Sequence, residues 1–300
     1  MEYKSRTASP ELIILEVLKN RFVLSEKEKQ HYRNLKKGYE GELLFDKKLS
    51  SLQEGYLILN DLLLKVNNTT FQIDTMIIAN TIYVFEVKNY EGDYLYDSDR
   101  IYKKPSFEIV NPLIQLNRTE SLLRQLLQSL GFNFALNTSV IFINPEFTLY
   151  QAPLDKSFIY PTQINSFLRQ LNATPIKLSN QHKALAKKLV SLHQHESPYT
   201  QIPAYHEESL RKGITCKACS SFTSTIEGHK LICQACEYQE AFADAVIRTV
   251  QEIQLLLPKS KITTNLIYDW CKVEVSKRRI EKILKKNMEH IKNNRWSYFE

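Results

Sequence analysis

Apolar residues at Leu35, Tyr39, Leu43, Leu44 and Leu49 recur at roughly helical spacing and predict a helix over residues 34–52, with Glu42 inside the pattern. The period then changes. Residues 55–61 and 62–66 read as one strand with an interruption, and Asn67, Asn68, Thr69 and Thr70 form a polar turn. Residues 72–79 and 82–89 follow as two apolar strands joined by a short turn containing Asn80. Connections this short force antiparallel neighbours, since a parallel crossover needs about a dozen residues. Strand alternation puts Glu86 and Lys88 on one face and Val87 on the other, and the hairpin brings Asp74, early in one strand, toward that pair late in the next. A tyrosine-rich stretch up to Ile109 is expected to be irregular or short-stranded. Asn111-Pro112 then opens a helix over 113–130, ended by Gly131, with Gln115 in its first turn. Residues 139–144 read as a buried strand that stops at Pro145.

Outside this core the pattern is mainly helical. Residues 1–33 are mixed and charged, with an apolar patch at 12–18 and a helix expected over 27–37, and they receive no chemical assignment. Two helices are expected within 161–195, and 196–213, with Pro198 and Pro203, is the best domain boundary. Helical patterns return at 245–257, 263–271 and 276–286. The expected division is an N-terminal helical extension (1–33), an α/β domain (34–160), a helical extension (161–195), a linker (196–213), a cysteine module (214–240) and a basic helical tail (241–300).

Composition sharpens this. The chain has 300 residues, 43% of them hydrophobic, enough for a sizeable core. It contains no apolar run of about 18 residues, the length a membrane span needs, and its first residues lack the apolar segment of a signal peptide. A cytoplasmic protein with no membrane partner is expected. The formal charge is +7, and residues 245–300 hold twelve Lys or Arg against six Asp or Glu, so the tail carries +6 of it. A charge so placed points to a polyanion, with nucleic acid as the leading partner.

Four of the five cysteines form the pattern Cys216-x2-Cys219-x13-Cys233-x2-Cys236. Two such knuckles let four thiolates surround a tetrahedral Zn²⁺, and a shell closed by four sulfurs makes the ion structural rather than catalytic. The pattern resembles a zinc ribbon. A redox dithiol is the competing account, but it leaves the second knuckle superfluous. Cys271, beside Ile267 and Trp270, reads as a buried helix cysteine.

Charged groups among Val, Ile, Phe and Tyr are costly to bury unless they bind an ion, pair with each other or sit at an open edge. Asp74, Glu86 and Lys88 are such groups. A helix, a three-stranded antiparallel meander, a helix and a strand, with an acid on the second strand and Glu-x-Lys on the third, resembles the restriction-endonuclease-like PD-(D/E)xK nuclease superfamily. More specifically, Lys37-Gly38-Tyr39-Glu40-Gly41-Glu42, Asn60-Asp61, Gln72-Ile73-Asp74, Phe85-Glu86-Val87-Lys88-Asn89, Gly92 and Asn111-Pro112-Leu113-Ile114-Gln115 together resemble the nuclease-related domain, NERD. Ile73 stands where the superfamily's name puts a proline, a position that supplies no ligand. The resemblance implies that Asp74 and Glu86 hold Mg²⁺ or Mn²⁺, that Lys88 is the catalytic lysine, that Glu42 is a further acid near the metal, and that Gln115 reaches the site from the following helix.

In the tail, Ser276 is placed to cap a helix whose apolar face is Ile280, Ile283 and Leu284. The short turn before it suggests a helix-turn-helix, in which Lys277, Arg278 and Arg279 would meet the major groove of DNA. Residues 295–299 could add a short wing strand. The function expected from the sequence is a divalent-metal-dependent nuclease acting on DNA, with ribbon and tail assisting binding. The alternative is a non-catalytic nucleic-acid-binding protein that uses the same α/β domain as a scaffold.

Overall fold

In the computed structural model, which describes residues 2–293 and 296–300, the chain opens with a short strand, β1 (Glu2–Lys4), followed by helices α1 (Pro10–Arg21) and α2 (Glu26–Leu49). The helical stretches expected over 27–37 and 34–52 are thus one helix. A capping box starts it: the Ser25 hydroxyl accepts from the Glu28 amide at 3.3 Å, while Glu28 accepts from the Ser25 amide at 2.7 Å. The chain forms two compact units, Met1–Ser9 with Arg33–Thr200, and Pro10–Tyr32 with Gln201–Glu300.

The first unit continues with β2 (Leu57–Val66), β3 (Thr69–Ile78), β4 (Ile82–Lys88), β5 (Gly92–Asp97), β6 (Arg100–Lys103), β7 (Phe107–Ile109), α3 (Pro112–Ser129), β8 (Leu136–Phe142), β9 (Phe147–Tyr150), β10 (Phe158–Ile159), α4 (Ile164–Ala173) and α5 (Asn180–Leu192). The main sheet runs β1-β2-β3-β4-β8-β10. Strands β2, β3 and β4 form the expected antiparallel meander, and β8 returns parallel to β4. One face packs Leu62, Leu64, Ile73, Met76 and Val84 against Leu123 and Leu127 of α3 and Leu185 and Leu189 of α5. The other packs Ile58, Ile77, Phe85 and Val87 against Phe45 of α2 and Ile164 and Leu168 of α4. The tyrosine-rich stretch takes the short-stranded one of its two expected forms. It makes three of four strands in a second sheet, β7-β6-β5-β9, because Tyr94, Tyr96 and Ile101 bury themselves against Phe142, Phe147 and Phe158.

The second unit adds β11 (Ser224–Glu227), β12 (Lys230–Cys233), β13 (Gln239–Ala241), α6 (Phe242–Leu256), α7 (Thr264–Cys271), α8 (Lys277–Asn287) and the hairpin β14 (His290–Asn293) and β15 (Trp296–Phe299). Its core joins Leu18 of α1 to Val246, Val250 and Ile253 of α6, Ile267 and Trp270 of α7, and Ile280 and Leu284 of α8. The hairpin supplies the expected wing strand, bridged to the body through Ile262 and Phe299, while Arg295 lies outside the described residues. Residues 196–213 are partly built into this core, with Leu210 buried. No helix among the described residues is long and apolar enough to cross a membrane.

Arg21 is the main buried cation of this unit. Its side chain is fully buried; Nε donates to Glu252 Oε2 at 2.9 Å, and the remaining nitrogens reach the Arg211 and Gly213 carbonyls at 2.9 and 3.0 Å. Glu252→Ala leaves that guanidinium buried with no counter-charge and is expected to lower stability by on the order of 3 kcal/mol. Glu281→Ala, which removes an exposed pair with Lys285, should cost far less, because solvent screens such a pair. Denaturant melts of the two variants check the contrast.

Candidate active site and metal centre

Strands β3 and β4 part where the acids sit. Their ladder ends at Thr75 opposite Phe85, which puts Asp74 across from Glu86 with no backbone pairing between them. The Val87 amide donates to Asp74 Oδ2 at 2.8 Å, so a carboxylate takes the place of a strand carbonyl and satisfies a buried donor. On the other side of β3, Asp61 lies opposite Asp74 in register, between the pairs Asn60↔Thr75 and Leu62↔Ile73. Its φ of +53° is the physical form of the interruption read in the sequence.

Lys88 closes the group. Its ammonium donates to Glu86 Oε1 at 2.6 Å and to Gln115 Oε1 at 3.1 Å. Asn111 positions Gln115 by capping α3: its side chain accepts from the Leu113 amide at 3.0 Å and donates to the Asp99 carbonyl at 2.8 Å. Glu42 projects from α2 and takes a 2.6 Å bond from Arg6. The structure therefore brings Glu42, Asp74, Glu86, Lys88 and Gln115 to one place.

Electrostatics at that place are strained by burial. Asp74 and Glu86 are 7% and 3% exposed. Burial pushes the Glu86 carboxyl up to about 8, reinforced by Asp74 and opposed by Lys88. Burial likewise lifts Glu42 to about 8, with Asp74 adding and Arg6 opposing. Asp74 is raised by burial against the pull of Lys88, the Val87 amide and Arg6. For Lys88 burial works against the charge, but Glu86, Asp74 and Tyr90 outweigh it and the ammonium is held above its usual range. Three crowded carboxylates, all resisting ionisation, form a donor set that a hard divalent cation would relieve, so the residues present fit such an ion.

Gly41 has a role that its helix pattern concealed. A Cβ there would lie 2.5 Å from Asn89 Cβ and 3.1 Å from its Cγ. Asn89 cannot retreat, since it donates to the Lys37 carbonyl at 2.8 Å and accepts from Asn144 at 3.1 Å. The glycine thus lets α2, with Glu42, approach the end of β4 that carries Glu86 and Lys88. Gly41→Ala should destabilise by about 1–3 kcal/mol through overpacking, despite alanine's advantage of about 1 kcal/mol in a helix. Chemical melts of the variant, compared with Gly38→Ala, where no atom lies within 4 Å, check this.

Arg6, Asp46 and Thr75 escaped the sequence reading. Arg6 sits in a segment without a motif. Asp46 did carry a signal, because two acids at i and i+4 on one helix face repel unless a cation joins them.

In the second unit, Cys216, Cys219, Cys233 and Cys236 place their Sγ atoms within 4.8 Å of one another, with 3.7 Å between Cys216 and Cys236 and 3.6 Å between Cys219 and Cys233. Tetrahedral Zn²⁺ with bonds of about 2.3 Å needs sulfurs about 3.8 Å apart. The two knuckles repeat each other: Ala218 and Ala235 amides donate to Cys216 and Cys233 Sγ at 3.4 Å, and Ser220 and Glu237 turn the chain at φ +60° and +59°. The thiols can hold such an ion. Cys271 is buried in α7, and burial pushes its thiol up to about 12.

At the start of α8, Lys277 and Arg278 are exposed. Lys277 leans on α7, over the Tyr268 ring at 5.2 Å. Arg279 is turned to the β11–β12 hairpin, donating to the Gly228 carbonyl, and lies over the Phe242 ring at 4.7 Å. Ser276 occupies the cap position, where its carbonyl accepts from the Arg279 amide at 2.9 Å and its hydroxyl makes no cap bond.

No curated protein matches the chain. Residues 160–245, which include all four clustered cysteines, match a family described as a domain of unknown function, DUF6671. Residues 37–143 match the nuclease-related domain, NERD, and this span carries Glu42, Asp74, Glu86, Lys88 and Gln115.

Proposed function

We propose that the first unit is a divalent-metal-dependent nuclease with a restriction-endonuclease-like core, hydrolysing phosphodiester bonds of nucleic acid, and of DNA in particular. The observation that carries this reading is the gap between β3 and β4: Asp74, tied through one oxygen to the Val87 amide, faces Glu86, and Lys88 is held between Glu86 and Gln115. Asp74 and Glu86 would hold Mg²⁺ or Mn²⁺, whose Lewis acidity would neutralise charge developing on the phosphate. Lys88 keeps its proton at neutral pH and can donate to a phosphate oxygen or orient the attacking water. Gln115 fixes the direction of that ammonium, and Glu42 adds a further acid beside Asp74.

In this reading the four thiols hold a structural Zn²⁺, and the ribbon with the winged helical tail binds the polyanion. Lys277 and Arg278 would contact DNA. Arg279 would steady α8 against the ribbon hairpin, so that its substitution acts on the fold of the tail more than on phosphate contact.

Cleavage by the full-length, zinc-loaded protein on matched DNA and RNA substrates, with Mg²⁺ or Mn²⁺ and with chelator, tests the reading. Asp74→Asn should lose divalent-dependent cutting of either substrate. Cutting that persists in this variant would place the chemistry elsewhere.

A further inference from the structure

The segment before the matched family span reaches the site. β1 pairs parallel with β2, Glu2 with Ile58 and Lys4 with Leu59, and Asn60 donates to Glu2 Oε1 at 2.9 Å. That pairing delivers Arg6, whose side chain is 1% exposed. Its Nη1 donates to Glu42 Oε2 at 2.6 Å, its Nε and Nη2 fork onto Asp46 at 2.8 and 3.1 Å, and Nη2 also reaches the Asp74 carbonyl at 2.8 Å and Thr75 Oγ1 at 3.0 Å. Lys4 lies nearby, donating to the Asn60 and Asp61 carbonyls at 2.8 Å each.

The carboxyl groups of Glu42, Asp46, Asp61, Asp74 and Glu86 outnumber the cations Lys4, Arg6 and Lys88 that interact with them. A guanidinium cannot lose its proton, and its fork fits carboxylates as a bound cation would. Glu42 gives Arg6 one carboxylate oxygen and Asp46 gives it both, the ligand type that hard cations also favour.

We propose that Arg6 is a built-in counter-cation of the site: it occupies the Glu42 and Asp46 oxygens that a second divalent ion would use, and leaves Asp74 and Glu86 to hold one. The proposal rests on the divalent-metal reading given above. Arg6 is a positioning residue, acting through Glu42 and the backbone of Asp74.

The test is Mn²⁺ titration of the zinc-loaded full-length chain, with free Mn²⁺ followed by electron paramagnetic resonance. The wild type should bind one Mn²⁺ per chain, and Asp74→Asn none. Arg6→Gln should gain a second bound Mn²⁺, whereas Arg6→Lys, which keeps the charge, should stay at one. If Arg6→Gln does not fold, Asp46→Asn serves: its position is partly exposed, and it removes one negative charge while Arg6 remains. Its single Mn²⁺ should bind severalfold more weakly although Asp46 is not a ligand. Two ions in the wild type, one in a folded Arg6→Gln, or unchanged affinity in Asp46→Asn overturns the proposal while leaving the metal reading intact. Identical titrations of wild type and Asp74→Asn, with no bound ion in either, would remove the metal reading itself and this proposal with it.

Discussion

Lys88→Ala is expected to lower cleavage by about 10²- to 10⁴-fold, the usual range for removing a positioned acid or base, with DNA affinity nearly unchanged. The separation follows from where the groups lie. Lys88 sits on β4 in the first unit, whereas the exposed basic residues Lys277 and Arg278 are on α8 in the second. Loss of the lysine leaves Glu86 buried without its 2.6 Å partner, which for a permanent anion would be strongly destabilising. Burial already holds that carboxyl up to about 8, so it takes a proton at neutral pH and the strand survives. Thermal melts and zinc content of the variant check that the fold is retained. Binding lost together with cleavage would mean a damaged fold, and cleavage retained would remove Lys88 from the chemistry.

Zinc removal, or Cys233→Ser, is expected to unfold the ribbon. Its three strands are three or four residues long, and the apolar side chain they bury most deeply is Leu231, with Ile226 partly covered. So little apolar surface cannot offset the entropy of ordering the segment, whereas a structural Zn²⁺ supplies on the order of 10 kcal/mol. Elemental analysis should find one zinc per chain. Limited proteolysis after chelation should cut within 216–236 first. Because β12 and α6 share the second unit's core through Leu231 and Phe242, DNA affinity should fall with it. A chain that keeps its protease resistance and melting temperature without zinc would contradict the assignment.

What could be read from the sequence follows from how local each signal is. The meander, the helix opened by Asn111-Pro112 and the paired knuckles all rest on neighbours within a few residues, and each has the geometry its pattern implied. The interruption at Asp61 was visible as well, though its link to Asp74 needs the strand register. Arg6 was invisible because its partners Glu42, Asp46 and Asp74 are 36 to 68 residues away and nothing in its own segment signals burial. The packing role of Gly41 depends on Asn89, which is distant in sequence and lies 2.5 Å from the missing Cβ. For 92–109 the pattern left irregular chain and short strands both open, because the strands are three to six residues long, too short for alternation to stand out, and are held by aromatic packing across the chain. Arg279 shows the converse. Its place at the start of a basic helix suggested a contact in the major groove of DNA, and only the fold reveals the Gly228 carbonyl beside it.

The most direct test of the account is cleavage of supercoiled, linear and single-stranded DNA by the purified protein with Mg²⁺ or Mn²⁺, beside Asp74→Ala and Lys88→Ala variants that retain zinc and their melting temperature. The account predicts metal-dependent cutting by the wild type that both variants lose, with DNA affinity kept. Wild-type protein that binds DNA and leaves every substrate uncut under these conditions, or cutting shared equally by both variants, would contradict it.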